Sequence, residues 1–363
     1  MTATIADRYH IAPPDLPNDG ERFVDHDLRG RSGHGGQCLV QCSNGDLLAF
    51  YSNTAADVWD GHSAAGWTEY RRSTDGGTTW GDPQVLEYSR AAWEREELCS
   101  ALVFGVTAAP DGTLIAIVCR FATPEWIKAD TPVYLTSADH GETWSAPRPL
   151  DPTADLTTAA LTFDATFVHG REVFVVVFGD TGNMAEGTYN LYVSDDNGDT
   201  FRHRSTLPFD PRNYYVTGGV LDDSDLIVYS YPFRGADTTD ERAIEYVRSA
   251  DGGRSWSSVD ATHVAKKLRN PQLSAKLGDR YFMHGRSGSY GTGSGRLVLY
   301  TSVDGIAWDE GTILYEDGQS DCYSANVVVG GDRLLIQSSI NYDPDTKCVN
   351  ERHWWVTDES RQS

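Results

Sequence analysis

The stretch STDGGTTW, residues 73–80, decides the fold, because the chain repeats its pattern four more times. The later copies are SADHGETW (137–144), SDDNGDTF (194–201), SADGGRSW (249–256) and the shortened SVDGIAW (302–308). Glycine permits positive φ in a tight turn, Ser and Asp side chains bond the turn's own amides, and an aromatic ring packs between sheets. We therefore expect five structural turns, whose aspartates hold backbone and take no part in catalysis: Asp75, Asp139, Asp196, Asp251 and Asp304.

Strand-like runs surround every copy of this turn. Each copy follows a run such as TEYRRS (68–73), and each interval holds two apolar runs joined by a polar turn, as in QCLVQCSNGDLLAFYS (37–52). Their β-branched and aromatic residues, flanked by Gly, Asp and Asn, indicate hairpins. A sixth hairpin, SANVVVGGDRLLIQSS (324–339), has no turn motif after it, and RAAWEREEL (90–98) is the one short helix candidate.

Six units of ~50 residues predict an all-β fold, a six-bladed β-propeller of four-stranded antiparallel sheets. We expect a single domain over residues 1–363, in which residues 1–33 lead in and contribute a ring-closing strand. RHWWVTDE (352–359) and the N-terminal ERFVDHDL (21–28) are expected to supply the outer strands of the sixth blade.

The amino-acid composition argues against two classes of binding partner. The formal net charge of −23 repels nucleic acid and anionic membranes, so neither is an expected partner. No basic segment followed by an apolar one opens the chain, and no apolar run approaches ~20 residues, so we expect a cytoplasmic protein. The six cysteines form no CxxC pair and no zinc-like spacing, which predicts mostly buried free thiols, no metal site and no cofactor.

Strand direction sorts the two faces of the propeller. The hairpin turns and the repeated turns share one face, and the opposite face carries the starts of the first strands and the ends of the second strands. Only this second face varies enough from blade to blade to build an asymmetric site. The second strands end on Asn53, Arg120, Asp180, Arg234, Arg286 and Asn341. The first strands begin near His34, Glu97, Asp164, Tyr214, Tyr215, Asn270, Gln272 and Tyr323. Arginine forks at this face are suited to bidentate capture of a carboxylate.

The repeated turn is similar to the Asp-box, S-x-D-x-G-x-T-W, of the sialidase (neuraminidase) superfamily. Four full copies and one shortened copy cover about residues 35–330. The resemblance implies a six-bladed propeller with its active site on the face opposite the Asp-boxes, and an activity on carbohydrate.

The resemblance also implies roles for single residues. Tyr323, in Tyr-Ser at the first strand of the last blade, matches the family's nucleophile, and a phenol there avoids repelling an anionic sugar. Arg234 and Arg286 stand where two members of the family's arginine triad are found. The acid falls in YSNTAADVWDGHS (51–63), where Asp57 and Asp60 are both available and Asp60 is slightly favoured.

Two positions depart from the family pattern. The first arginine of the triad is replaced by GHGGQC (33–38), which offers His34, while Arg29 and Arg31 lie upstream. The glutamate that assists the nucleophile is missing from RNYYVTGG (212–219), at the start of the fourth blade.

Three functions follow as hypotheses. The first is an exo-acting glycoside hydrolase on a terminal, carboxylated sugar, with Tyr323 as nucleophile or stabiliser and Asp60 or Asp57 as acid; His34 takes over part of the missing arginine's work. The mouth of the propeller is the face opposite the repeated turns. Six residues there are expected to contact the substrate: Arg234, Arg286, Arg120, Tyr215, Gln272 and Glu97.

The second hypothesis is a polysaccharide lyase on a uronic acid, in which His34 or Tyr215 abstracts the C5 proton while arginine neutralises the carboxylate. The third is a non-catalytic sugar-binding propeller, with stacking platforms at Trp59, Trp67, Trp93 and Trp126.

Overall fold

The computed structural model describes residues 9–12, 23–24, 31–33, 35–55, 64–95, 100–122, 131–151, 160–161, 165–179, 186–232, 242–288, 295–317, 322–343 and 348–358. Within these residues the strands form six separate antiparallel sheets of four or five strands. The predicted all-β, six-bladed propeller is confirmed.

In the described residues, blades 1 and 3 have five strands each and blade 2 has four; in blades 1 and 3 the first two strands both pair with the third. Blade 1 contains β2 (Arg31–Ser32), β3 (Cys38–Gln41), β4 (Leu47–Ala55), β5 (Gly66–Ser73) and β6 (Gln84–Val85). Blade 2 contains β7 (Ser100–Ala108), β8 (Leu114–Phe121), β9 (Val133–Ser137) and β10 (Arg148–Pro149). Blade 3 contains β11 (Ala160–Leu161), β12 (Thr166–His169), β13 (Glu172–Gly179), β14 (Thr188–Ser194) and β15 (Arg202–Leu207).

The described residues of blades 4 to 6 form four strands each. Blade 4 contains β16 (Tyr214–Val220), β17 (Leu226–Tyr231), β18 (Ala243–Ser249) and β19 (Asp260–His263). Blade 5 contains β20 (Arg269–Leu273), β21 (Tyr281–Ser287), β22 (Arg296–Ser302) and β23 (Thr312–Glu316). Blade 6 contains β24 (Ser324–Val329), β25 (Arg333–Asp343), β26 (Cys348–Asp358) and β1 (Tyr9–Ala12).

The first strands of the six blades surround the axis. β3 contacts β7, and contacts continue through β12, β16, β20 and β24 back to β3. These strands enclose an axial cavity of about 590 Å³. One short helix, α1 (Glu87–Trp93), precedes blade 2 and overlaps the predicted helical stretch at 90–98. In the described part of the chain no helix is long and apolar enough to cross a bilayer.

The ring closes differently from the sequence prediction. The segment 352–359 does supply the third strand of blade 6, but the fourth is β1, in which Tyr9 pairs with Asp358. The prediction that 21–28 forms this strand is wrong. Of that segment the structure describes Phe23 and Val24, which are buried in the core of blade 1 because their apolar side chains pack beside Tyr51 and Trp80.

Each Asp-box folds into a self-bonded turn. In the first box, Ser73 Oγ donates to Asp75 Oδ1 over 2.8 Å, and the same oxygen accepts the amide of Thr79 over 2.9 Å. The hydroxyl of Thr79 donates to Oδ2 over 2.6 Å, and these bonds lower the pKa of Asp75 to about 2. The other four aspartates make the same kind of bonds, so all five are structural as predicted.

The boxes also join neighbouring blades. Tyr70 of blade 1 donates its hydroxyl to the carbonyl of Gly141, in the box of blade 2, over 2.8 Å. The α-carbon of Gly141 lies so close to blade 1 that an added Cβ would be 2.6 Å from Leu48 Cδ1. Ser43, in the hairpin turn of blade 1, is 3.0 Å from the ring of His140 in the same box. Hairpin turns and Asp-boxes therefore share one face.

The cysteines follow the prediction where their side chains are described. Cys38, Cys42, Cys119 and Cys322 are buried free thiols.

The inter-blade contact of the box predicts a large cost for one added methyl group. Gly141→Ala should destabilise the protein by about 1–3 kcal/mol more than Gly45→Ala. Both glycines have left-handed backbone (φ 86° and 94°), but a Cβ at Gly45 meets nothing within 4 Å. The difference in unfolding free energy from urea titrations isolates the packing. Equal losses in the two variants would refute the role of the box in joining blades.

Candidate functional site

Within the described part of the chain, three residues other than glycine have left-handed backbone on the face opposite the Asp-boxes. Tyr215, Asn270 and Cys322 have φ near 50°, and each lies where the chain enters the first strand of blade 4, 5 or 6. The pairing register shifts beside Tyr215 and Asn270, so both lie in β-bulges. Such backbone is costly for residues other than glycine and is found mainly where surrounding structure holds it for a function.

Three predicted residues meet at this face. The guanidinium carbon of Arg286 lies 4.3 Å from the ring centre of Tyr323 and 5.1 Å from that of Tyr215. Arg286 also donates a hydrogen bond to the hydroxyl of Tyr215. Arg286 is 2% exposed, whereas both tyrosines are half-buried. A cation thus lies between two phenols contributed by the blades on either side. We call this group the Arg286 cluster.

The position of Arg286 depends on a close approach of two strands. A Cβ on Gly285 would lie 2.7 Å from the carbonyl oxygens of both Arg269 and Asn270, so only glycine fits beneath the blade 5 bulge. Arg269 pairs directly with Arg286 across the two strands and is also buried. Arg269 is not among the predicted site residues, although it lies in LRNPQ (268–272), at the start of a first strand, like the predicted Asn270.

A small cavity forms the floor of the mouth. Its lining residues come from blades 1, 2, 5 and 6: Gly36, Gln37, Phe104, Asn270, Gln272, Tyr323 and Ser324. Gln272 is buried, and its amide donates to Asn270 Oδ1 over 3.2 Å. Gln272 and Tyr323 thus line the same cavity. The role of Gln272 in substrate binding stays a prediction.

A buried carboxyl group lies behind Tyr323. Glu351 of β26 is 1% exposed and pairs with Ser339, whose hydroxyl accepts the amide of Tyr323. Gln37 and Gln337 donate to its two oxygens over 2.9 and 3.2 Å. Burial raises the pKa of Glu351 to about 8, against the opposing effect of the two amides. The carboxyl is therefore neutral at pH 7, and it joins blade 6 to Gln37 of blade 1.

Two other predicted candidates have local structural bonds. Arg120 donates to the carbonyl of Thr131 in its own blade over 3.1 Å. Trp67 donates to buried Glu69 over 2.9 Å, and the guanidinium of Arg90 covers its ring at 4.1 Å. One face of Trp67 is therefore occupied, which weakens its use as a sugar-stacking platform.

Ten further candidates lie outside the described residues. They are His34, Asp57, Asp60, Glu97, Arg234, Asp164, Asp180, Arg29, Trp59 and Trp126. Their predicted roles stay predictions, as do those of Arg31, Tyr214 and Asn341, whose side chains the structure does not describe.

The repeated Asp-box turns and the six radial sheets define a class of protein, the Asp-box β-propellers. Residues 71–336 match the BNR repeat-like domain, and the chain belongs to that family. The resemblance to the sialidase superfamily is confirmed at the level of family and fold. No curated protein matches the chain.

Solved structures with the same fold include a protein of unknown function from Dyadobacter fermentans, 14% identical, with a TM-score of 0.72 over 97% of this chain and 100% of that one. NanB sialidase from Streptococcus pneumoniae is 12% identical, with a TM-score of 0.64 over 95% of this chain and 71% of the other.

Trypanosoma rangeli sialidase, in a complex with 2,3-difluorosialic acid described as a covalent intermediate, is 14% identical with a TM-score of 0.62. The match covers 96% of this chain and 58% of that protein's length. At these identities the likeness shows the fold.

Glu351 makes the stability of the protein depend on pH. In the folded state the carboxyl of Glu351 keeps its proton up to about pH 8, whereas in the unfolded chain it loses the proton near the ordinary glutamate pKa of 4.5. The stabilisation is therefore complete below pH 4.5 and is lost as pH rises toward 8, by up to about 1.4 kcal/mol per pH unit.

Glu351→Gln should remove this slope. The variant should gain stability relative to the wild type as pH rises from 5 to 8, as measured by urea unfolding across this range. Glu310→Gln removes the same charge from an exposed site and is the control, which should keep the wild-type slope. Parallel curves for all three proteins would contradict the buried neutral carboxyl.

Proposed function

We propose that the protein is an exo-acting glycoside hydrolase of the sialidase type, which cleaves a terminal, carboxylated sugar. The observation that carries the proposal is the Arg286 cluster, in which one guanidinium lies against the ring of Tyr323 and bonds to Tyr215. Membership of the BNR repeat-like domain family and the fold shared with two sialidases support it.

Anion recognition follows from the burial of Arg286. A guanidinium shielded from water attracts a carboxylate more strongly than an exposed one does, and its fork bonds both oxygens at once. In the free protein the hydroxyl of Tyr215 occupies one of its N–H donors. A substrate carboxylate is a stronger acceptor than a phenol, so it takes this position and displaces Tyr215.

Tyr323 is proposed as the nucleophile. The phenol of Tyr323 gives its proton to solvent as its oxygen attacks the anomeric carbon; the bond to the leaving oxygen breaks, and that oxygen takes a proton from Asp60 or Asp57. The resulting Asp carboxylate then takes a proton from a water, whose oxygen displaces the tyrosine oxygen from the anomeric carbon and releases the sugar, and the tyrosine regains a proton from solvent. The neighbouring cation stabilises negative charge on the phenol oxygen and on the bound carboxylate. A carboxylate in the place of Tyr323 would repel an anionic sugar, which a phenol avoids.

One observation favours a second candidate, elimination on a uronic acid. The hydroxyl of Tyr215 lies at Arg286, where the carboxylate of a bound uronate would be neutralised. A proton at C5 is adjacent to that carboxylate, so Tyr215 is placed to remove it. Elimination yields an unsaturated uronate, whereas hydrolysis yields a saturated reducing sugar.

Tyr323→Phe tests the hydrolytic proposal. It keeps the ring beside Arg286 but removes the nucleophilic oxygen, so kcat on 4-methylumbelliferyl sialoside should fall by at least ~100-fold. Fluorimetry measures the released umbelliferone, and Arg286→Lys should instead act mainly on KM, because a lysine keeps the charge without the fork. Full turnover by Tyr323→Phe would remove this residue from the mechanism.

Tyr215→Phe separates the two reactions. If hydrolysis operates, the loss of a competing acceptor should lower KM by about fivefold, in line with one hydrogen bond of ~1 kcal/mol. If elimination operates, the ultraviolet absorbance of the unsaturated product from an oligouronate should disappear. If the wild type releases neither umbelliferone nor an unsaturated uronate, both enzymatic candidates fail and the third hypothesis, a non-catalytic sugar-binding propeller, is favoured.

A further inference from the structure

A fully buried histidine joins the strands that carry Arg286 and Tyr323. His284 lies on β21, two residues before Arg286, and is not exposed at all. Its Nδ1 is 2.9 Å from the hydroxyl of Ser324, the residue after Tyr323, and its Nε2 is 2.9 Å from the amide nitrogen of Asn326. The histidine therefore connects blade 5 to the first strand of blade 6.

The direction of these bonds fixes the ring. Because the amide nitrogen of Asn326 points at Nε2, this atom accepts, and Nδ1 carries the proton that it donates to Ser324 Oγ. Burial lowers the pKa of His284 to about 3, so the ring is neutral at every working pH. A neutral ring adds no second positive charge next to Arg286.

Both strands are also fixed on their other sides. Gly285, between His284 and Arg286, lies against the backbone of the blade 5 bulge. Tyr323 exchanges bonds with Ser339 of β25: its amide donates to the hydroxyl over 3.1 Å, and its carbonyl accepts the amide of Ser339 over 2.9 Å. The spacing between the two blades is a separate constraint, and the contact of His284 with Ser324 spans that interface.

We propose that His284 is a positioning residue, which holds Tyr323 against Arg286 by its bond to Ser324. The inference deepens the proposed function and rests on it for what the pair does to a substrate. It assigns a role to a residue that touches neither the guanidinium nor the mouth cavity.

The consequence for chemistry is geometric. A shift of about 1 Å between a nucleophile and the group that orients its substrate can cost ~100-fold in rate. Blade interfaces are apolar and slide more easily than hydrogen-bonded strands, so a directional bond across this interface restricts movement that packing alone permits.

Two substitutions separate the two bonds of the ring. The amide of His284→Asn reaches the former Nδ1 position and can keep the bond to Ser324. The longer amide of His284→Gln reaches the former Nε2 position and can keep only the bond to Asn326. Both variants place a neutral amide in the same buried site, so their thermal midpoints should fall by similar amounts. Ser324→Ala removes the first bond without touching the histidine.

The first measurement does not depend on activity. A tyrosine ring shifts the NMR signal of a guanidinium N–H above it upfield, and the signal of Arg286 can be assigned by its loss in Arg286→Lys. We expect His284→Asn to keep the wild-type position. His284→Gln and Ser324→Ala should move it toward the position seen in Tyr323→Leu. Wild-type positions in His284→Gln and Ser324→Ala would overturn the proposal.

The second measurement is kinetic, with 4-methylumbelliferyl sialoside as the probe. His284→Gln and Ser324→Ala should lower kcat by ~10–100-fold with little change in KM, and His284→Asn should restore most of the rate. Equal losses in His284→Asn and His284→Gln would overturn the positioning role and leave a structural one. If the wild type does not cleave the probe, the proposed hydrolysis fails, and the NMR comparison still decides the role of His284.

Discussion

The bond between each Asp-box and the blade before it is the constraint on which the structure depends. Within the box, one aspartate accepts several short bonds, so the turn is rigid before any neighbour contacts it. The preceding blade then packs against a glycine of the turn and can donate a hydrogen bond to its carbonyl, as Tyr70 does at Gly141. Rigid turns with small contact surfaces let the five blades that carry an Asp-box approach the blades before them closely, and blade 6, which has no box, completes the ring.

Because the Asp-boxes join the blades on one face, the opposite face can differ from blade to blade. The Asp-box side repeats the same turn in five blades, whereas the opposite face contains bulges in blades 4 and 5, left-handed residues in blades 4 to 6 and buried polar groups. Such features lower stability and are retained where they position a ligand or a reacting group. The Arg286 cluster and the neutral Glu351 are examples, since both place ionisable groups in poorly hydrated surroundings and both depend on neighbours from another blade.

The sequence predicts the fold well because its signals are local. Each Asp-box spans at most eight residues and each quoted hairpin sixteen, and counting them gives the blades, the faces and the position of Tyr323 and Arg286. The ring-closing strand was missed because β1 is only four residues long and its partner strand lies more than 300 residues away in the chain. Phe23 and Val24 are residue types that are common in strands. Here their apolar side chains are buried against blade 1 instead of lying in the fourth strand of blade 6.

The parts of the site that were missed depend on long-range contacts. Glu351 lies in the middle of a third strand, and its burial comes from Gln37, 314 residues away in the chain. His284 reads as an ordinary alternating strand residue, and its partners lie in the next blade. No pattern within one unit reveals such pairs. Arg269 could have been predicted from the sequence, because it lies at the start of a first strand, where the other site candidates were sought.

Closure of the ring by Tyr9–Ala12 has a consequence for biosynthesis. This strand pairs with β26, so residues 9–12 have no partner until residue 358 has been synthesised. Until then the ring is open and exposes unpaired sheet edges, which can associate with other chains. A chaperone that covers those edges would therefore raise the yield of the closed form.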